Sequence, residues 1–133
     1  MGTMSSRQRT VEELLEKTIP DLFLERVSDS PTEIAFRYKN LGIYKGVTWG
    51  EYWERVEDFA FGLIELGLEP GNTVAIMSDP CPEWMYADLA TLCTGGLDFG
   101  IYTTSSIEEL QYVMEVGEAS IFIAENQEYV DKI

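Results

Sequence analysis

The sequence predicts an α/β chain, with N-terminal helices and a β-hairpin followed by an incomplete doubly wound parallel sheet of β-α-β-α-β order. Three observations carry this expectation. Apolar residues recur at helical spacing from Trp49 to Ile64. Two alternating runs flank the turn residues Asn40-Leu41-Gly42. From residue 72 onward, short apolar runs alternate with helical stretches, and Gly or Pro marks the changes. Strand–helix–strand units of this kind require a parallel sheet with right-handed crossovers.

Thr10 with Glu13 forms a capping-box pattern that opens a short helix through Leu14 and Leu15. Pro20 introduces a second helix over Asp21 to Val27, with Leu22, Phe23 and Val27 on its apolar face, and Asp29-Ser30-Pro31 ends it. Ile34, Phe36 and Tyr38 alternate with Ala35, Arg37 and Lys39 as in a strand, and Ile43 to Val47 is the return strand of the hairpin. Thr48 and Glu51 then cap the strongest helix. Its stripe is Trp49, Tyr52, Trp53, Val56, Phe59, Ala60, Leu63 and Ile64, with Gly67 as terminator and Pro70-Gly71 in the turn. Aromatic residues at this spacing favour core packing over a ligand pocket.

Val74 to Met77 is a continuously apolar strand of the buried type. Pro82 starts a helix that runs to Thr94 and ends at Gly95-Gly96. Leu97 to Tyr102 is the second parallel strand, and Ser105 or Ser106 caps a helix to about Val116. After Gly117, Ser120 to Ala124 forms the third strand, and a helical pattern from Gln127 to Ile133 continues to the last residue without a cap signal. The expected organisation is therefore 1–9 as a cloning scar and disordered start, 10–71 as helices, hairpin and long amphipathic helix, and 72–133 as a βαβαβ unit truncated at its C-terminus.

Charge narrows the functions. The 133 residues carry 24 acidic and 9 basic side chains, for a formal charge of -15. Between Arg55 and Lys132 there is no Lys, Arg or His, so most of the deficit lies in the second half. Nucleic acid is excluded as an expected partner, because polyphosphate would meet a strongly negative surface. The longest charge-free runs are nine residues, too short to span a bilayer, and no charged-then-apolar leader opens the chain, so the expected location is cytoplasmic. Without His, the chain lacks the usual neutral-pH general base, which excludes Ser-His-Asp and Cys-His sites within it. Cys81 and Cys93 flank the 82–94 helix, roughly 18 Å apart by helical rise, too far to form a disulfide. Cys81 lies near a helix N-terminus, which lowers a thiol pKa, but acidic Asp79 and Glu83 oppose the thiolate, so an ordinary loop thiol is the favoured reading.

The turn Tyr102-Thr103-Thr104-Ser105-Ser106 lies between a strand and a helix, where open α/β sheets bind ligands. Its hydroxyls suit an anion, yet Ser105 with Glu108 and Ser106 with Glu109 also fit capping boxes, and capping is the favoured reading. The glycines of Gly95-Gly96-Leu97-Asp98-Phe99-Gly100 run into a strand, not out of one, so they do not make a dinucleotide fingerprint. Carboxylates are plentiful but scattered, and no pair stands out for acid–base chemistry. The sequence thus nominates no catalytic, cofactor-binding or metal residue.

Taken together, several segments resemble one family. Val47-Thr48-Trp49-Gly50-Glu51-Tyr52 is similar to a Thr-aromatic-x-Glu motif opening a long helix. Leu66-Gly67-Leu68-Glu69-Pro70-Gly71-Asn72-Thr73-Val74-Ala75-Ile76 resembles Leu-Gly-x-x-x-Gly-Asp-x-Val-Ala-Ile, and Pro82-Glu83-Trp84 resembles Pro-Glu-Trp. Leu92 to Gly96, followed by Gly100 to Ser106, is similar to a Gly-Gly strand and a Tyr-x-Thr-Ser-Ser turn. The order and spacing resemble the N-terminal portion of AMP-forming acyl-CoA synthetases, in the long-chain fatty acid–CoA ligase branch of the adenylate-forming ligases. The resemblance covers residues 19 to 133.

It implies a fragment of the large domain of a two-step ligase, in which ATP adenylates a fatty acid and coenzyme A displaces AMP, with magnesium accompanying ATP. Residues 72–133 are then part of the adenylation domain, and the partners are the remainder of that domain and, through absent residues, fatty acid, ATP and coenzyme A. The family's phosphate loop, aromatic-x-x-Thr-Glu motif, ribose-binding Asp and C-terminal Lys are absent. Tyr102 to Ser106 has a surface similarity to aromatic-x-x-Thr-Glu, but Ile107 follows where the Glu would stand, so no catalytic residue carries over. Thr73 replaces a frequent Arg and Thr103 a frequent Pro, which removes a cation and a rigid turn. The expected fragment is inactive alone and self-associates through an exposed sheet edge. The competing readings are a self-contained acidic α/β binding or interaction module without catalysis, and a flavodoxin-like flavin binder using the hydroxyl-rich turn.

Overall fold

Capping boxes start most of the helices. The computed structural model describes residues 10–133, so the expected scar and disordered start at 1–9 lie outside the described residues. Thr10 accepts from the Glu13 amide at the start of α1 (Val11–Leu15), and Thr18 accepts from Asp21 at the start of α2 (Ile19–Asp29). The second helix begins earlier than Asp21, because Thr18 and Asp21 supply a cap two residues ahead of Pro20. Strands β1 (Ile34–Asn40) and β2 (Ile43–Thr48) pair antiparallel around Leu41-Gly42. Thr48 and Glu51 cap α3 (Trp49–Glu65) reciprocally, at 3.1 and 3.0 Å.

The remaining elements are β3 (Thr73–Met77), α4 (Pro82–Cys93), β4 (Leu97–Ile101), α5 (Ile107–Val116), β5 (Ala119–Ala124) and α6 (Gln127–Val130). Strand β4 stops at Ile101, one residue short of the expected end, and the helical pattern at the C-terminus forms only one turn of helix. Within the described residues, β3, β4 and β5 make a parallel sheet in the order β4-β3-β5. This is the mixed α/β, doubly wound arrangement expected from the alternation.

Two apolar clusters explain why the sheet is wound on both faces. Alternation along β3 sends Val74 and Ile76 to one face and Ala75 and Met77 to the other. The first pair packs with Val56 and Leu63 of α3 and Ala87 and Ala90 of α4. The second packs with Ile101 and with Leu110 of α5. The aromatic stripe of α3 is core: Tyr52 is buried, edge-on to Phe23 at 4.9 Å and to Phe36 at 5.2 Å. Burial drives the Tyr52 phenol far above its ordinary range, ahead of the nearby charge of Asp88, so it remains neutral. One stripe residue departs from expectation. Ile64 is 54% exposed, because the helix turns only its Tyr52, Val56 and Leu63 side fully inward. Among the described residues no helix is long and apolar enough to cross a membrane.

Candidate functional site

Parallel strands place their carboxyl ends at one edge of the sheet, and ligands in open α/β sheets bind outside that edge, at the point where strand order reverses. Here the reversal falls between β3 and β5, since the chain moves from β3 to β4 on one side and then crosses to β5 on the other. A cavity of about 470 Å³ opens there. Ile76, Ile123, Phe59 and Trp84 form its apolar walls, and Ser78, Cys81, Glu83 and Glu125 also line it.

Three turns that follow the strands are tied together around this crevice. Thr103 Oγ1, after β4, donates to Asp79 Oδ1 at 3.2 Å. The Asp79 amide, after β3, donates to Glu125 Oε2 at 3.0 Å. Glu125 N in turn donates to Met77 O at 3.1 Å, which closes the end of β5 onto β3. No sequence pattern announced this tie, because its members come from three separate strand ends.

The hydroxyl-rich turn divides its labour. Ser106 accepts from the Glu109 amide at 3.2 Å and Glu109 reaches back to the Ser106 amide at 2.8 Å, forming the expected box. The alternative box with Ser105 and Glu108 does not form; Ser105 is held by its amide on Tyr102 O at 3.0 Å. Cys81 is the N-cap of α4 but makes no side-chain capping bond, and its Sγ lies 3.3 Å from Ser78 Oγ. Cys81 and Cys93 are both free, as their separation predicts, and burial pushes the Cys93 thiol up.

Carboxylates dominate the surround of this edge. Asp79, Glu83, Glu108, Glu109 and Glu125 stand on the elements that frame it, and no Lys or Arg lies between Arg55 and Lys132. Two helix N-termini that could attract an anion already carry Glu side chains in their first turns, α4 with Glu83 and α5 with Glu108 and Glu109. Among the described residues no group of three or more His, Cys, Asp or Glu is placed to hold a metal ion. A second cavity, of about 570 Å³, lies at the end of the hairpin between Lys39, Asn40, Arg55 and Tyr86. Burial, and then the charge of Glu83, raise the Tyr86 phenol there.

Carboxylates scattered in sequence are not all scattered in space. Asp88 of α4 and Asp98 of β4 meet across the helix–strand seam, where burial and then the Asp88 carboxyl push the Asp98 carboxyl up. Ten residues and a change of element separate them, so neither helical nor strand periodicity could have paired them.

The architecture and the comparisons agree on a class of protein. Residues 23–133 match the family described as AMP-binding enzyme, and the chain belongs to that family. The sequence is 37% identical over 116 residues to the "Long-chain-fatty-acid--CoA ligase ACSBG2" of Mus musculus, covering 87% of this chain and 17% of that protein. It is 32% identical over 122 residues to "Long-chain-fatty-acid--CoA ligase heimdall" of Drosophila melanogaster, covering 88% and 18%. The chain thus spans less than a fifth of these relatives' length. Among solved structures, a fatty acid AMP ligase from Legionella pneumophila superposes with a TM-score of 0.79 at 19% identity, over 94% of this chain and 22% of the other. NpsA of Klebsiella oxytoca, in complex with 3-hydroxyanthranilyl-AMSN, gives 0.75 at 24% identity over 83% and 22%. At these identities the two structures speak for the fold.

Proposed function

We propose that this chain is the N-terminal portion of an acyl-CoA synthetase that activates a long-chain fatty acid with ATP to an acyl-adenylate and passes the acyl group to coenzyme A. Residues 72–133 supply part of the adenylation domain's sheet, and residues 10–71 supply the helices and hairpin that cover one face of it. The carrying observation is the alignment at 37% identity with a long-chain-fatty-acid–CoA ligase along 87% of this chain and only 17% of that protein. An acid-framed carboxyl edge without cations supports the corollary that ATP, magnesium and coenzyme A are held by residues outside this chain. The piece is then a scaffold, inactive alone, working in the cytoplasm in fatty acid metabolism with the remainder of its own domain as partner.

Carboxylate-dependent ATP–pyrophosphate exchange with a long-chain fatty acid tests the corollary. The purified chain is expected to show none, and measurable exchange would overturn the scaffold reading. Reading the coding sequence past Ile133 tests the whole: continuation into a Thr-Ser-Gly-rich loop with a Lys supports the ligase, and an immediate stop favours an acidic interaction module. Separately, β4 and β5 are both sheet edges within the described residues, which supports self-association of the isolated piece.

A further inference from the structure

Helix α4 approaches the edge strand β4 so closely that the seam admits one strand side chain. A Cβ added at Gly96 would stand 2.9 Å from Thr91 Cγ2, and one at Gly100 would stand 3.0 Å from Trp84 Cζ2. Successive strand residues alternate between faces, so Asp98 points to the same side as these two glycines. Trp84, Asp88 and Thr91 follow one another at four- and three-residue steps along one face of α4. With Trp84 over Gly100 and Thr91 over Gly96, the helix residue opposite Asp98 is Asp88. Both are half-buried, and burial together with the neighbouring Asp88 carboxyl pushes the Asp98 carboxyl up. An ionised carboxylate only accepts, so two carboxyl groups facing each other in this seam bond directly only with a proton on one of them.

No basic side chain contributes to the electrostatics of Asp98, where burial, Asp88 and the backbone of Asp98 itself are the acting causes. From α3, Tyr52 faces Asp88 and is itself neutral, while Arg55 and Glu51 act with opposite sign on Tyr86, nearer the start of α4. On α4, Glu83 stands near Tyr86, and Cys93 is a half-buried thiol. The residues of β3, Thr73 to Met77, include no ionisable group. Helix α2, which also packs on α4, carries Asp21, Glu25, Arg26 and Asp29, but Arg26 lies over the Trp49 ring and Glu25 pairs with Lys17.

We propose that Asp88 and Asp98 are a proton-operated clasp between α4 and β4: one shared proton fastens the seam, and its loss sets two negative charges against each other and loosens β4. The consequence reaches the carboxyl edge. Strand β4 leads directly into the turn whose Thr103 holds Asp79, and Asp79 precedes α4, so the clasp governs how two of the three framing turns sit. This goes beyond the ligase reading and does not depend on it.

Burial in the seam, then the neighbouring Asp88 carboxyl, hold the Asp98 carboxyl well above the ordinary value of 3.8, at about 7. Between those values the folded chain keeps a proton that the unfolded chain has released. This contribution to stability therefore falls as pH rises through that window and is level above it.

Carboxyl-carbon NMR titration of the 133-residue chain tests the clasp. Asp98 is expected to titrate near neutrality, and Asp88→Asn to move its midpoint by at least about one unit, tenfold in proton affinity. In thermal melts, Asp98→Asn is expected to flatten the decline in Tm from about pH 5 to about pH 8. Asp58→Asn, on the exposed side of α3, serves as the control for general charge relief and is expected to leave the slope in place. An Asp98 midpoint near 4 that ignores Asp88, or parallel slopes in the Asp98 and Asp58 variants, would overturn the proposal. Should Asp98→Asn not fold, the titration with and without Asp88 decides alone.

Discussion

Gly96 shows how one missing side chain sets a helix–strand distance. Its hypothetical Cβ meets Thr91 Cγ2 at 2.9 Å and two backbone oxygens, of Asn72 and Thr91, at 3.2 Å. The oxygens belong to the turn before β3 and the last turn of α4, and neither can rotate away. Gly96→Ala is therefore expected to destabilise the chain by about 2 kcal/mol, the usual range for overpacking. A lowered urea midpoint at unchanged m-value would show it, and an unchanged midpoint would mean that the seam yields. At this scale the sequence was legible where a rule is local. Thr10, Thr48 and Ser106 cap where their three-residue spacing to Glu says they should. Asp88 and Asp98 were not legible, because their meeting depends on the depth at which a helix settles on a strand. Ile64 was misplaced for a related reason: spacing marks a stripe, but only tertiary packing decides its width.

Among the elements, α3 joins the hairpin to the sheet. Its start is fixed by Thr48, which ends β2 and caps the helix at once, with Oγ1 accepting from the Glu51 amide at 3.1 Å. Its inward residues then reach α4 and the β3 face. Thr48→Ala removes the acceptor of the Glu51 amide and leaves only the bond from the residue-48 amide to Glu51 Oε2. The expected cost is about 1 kcal/mol, read from equilibrium unfolding; Thr48→Ser should restore most of it. The type of each element was readable from periodicity, whereas the ends of α2, β4 and α6 shifted, because caps and final turns settle by contacts that periodicity does not contain. The carboxyl-edge tie of Thr103, Asp79 and Glu125 lay beyond any such reading for the same reason.

For the molecule as a whole, the pattern of alternating strands and helices was sufficient to predict a doubly wound sheet, and the motif order pointed to the family that the comparisons show. The charge distribution then separates fold from chemistry: the carboxyl edge is acid-framed, which is compatible with the proposed scaffold role. Two open sheet edges carry the remaining expectation. By light scattering, the isolated chain is expected to elute as more than a monomer, and a clean monomer would count against edge pairing.

The central position of β3 also has a consequence in time. Both of its neighbours, β4 and β5, are made after it, and its residues Val74 to Met77 are 1% exposed or less once the sheet is complete. At about 5–20 residues per second, the ribosome needs roughly 3–10 s to travel from Thr73 to Ala124. For those seconds a fully apolar strand has left the catalytic centre of synthesis without the partners that will hide it. The exit tunnel and chaperones must shelter it, and slow codons between Met77 and Ala119 would prolong that exposure, and with it the chance of aggregation, before the sheet can close.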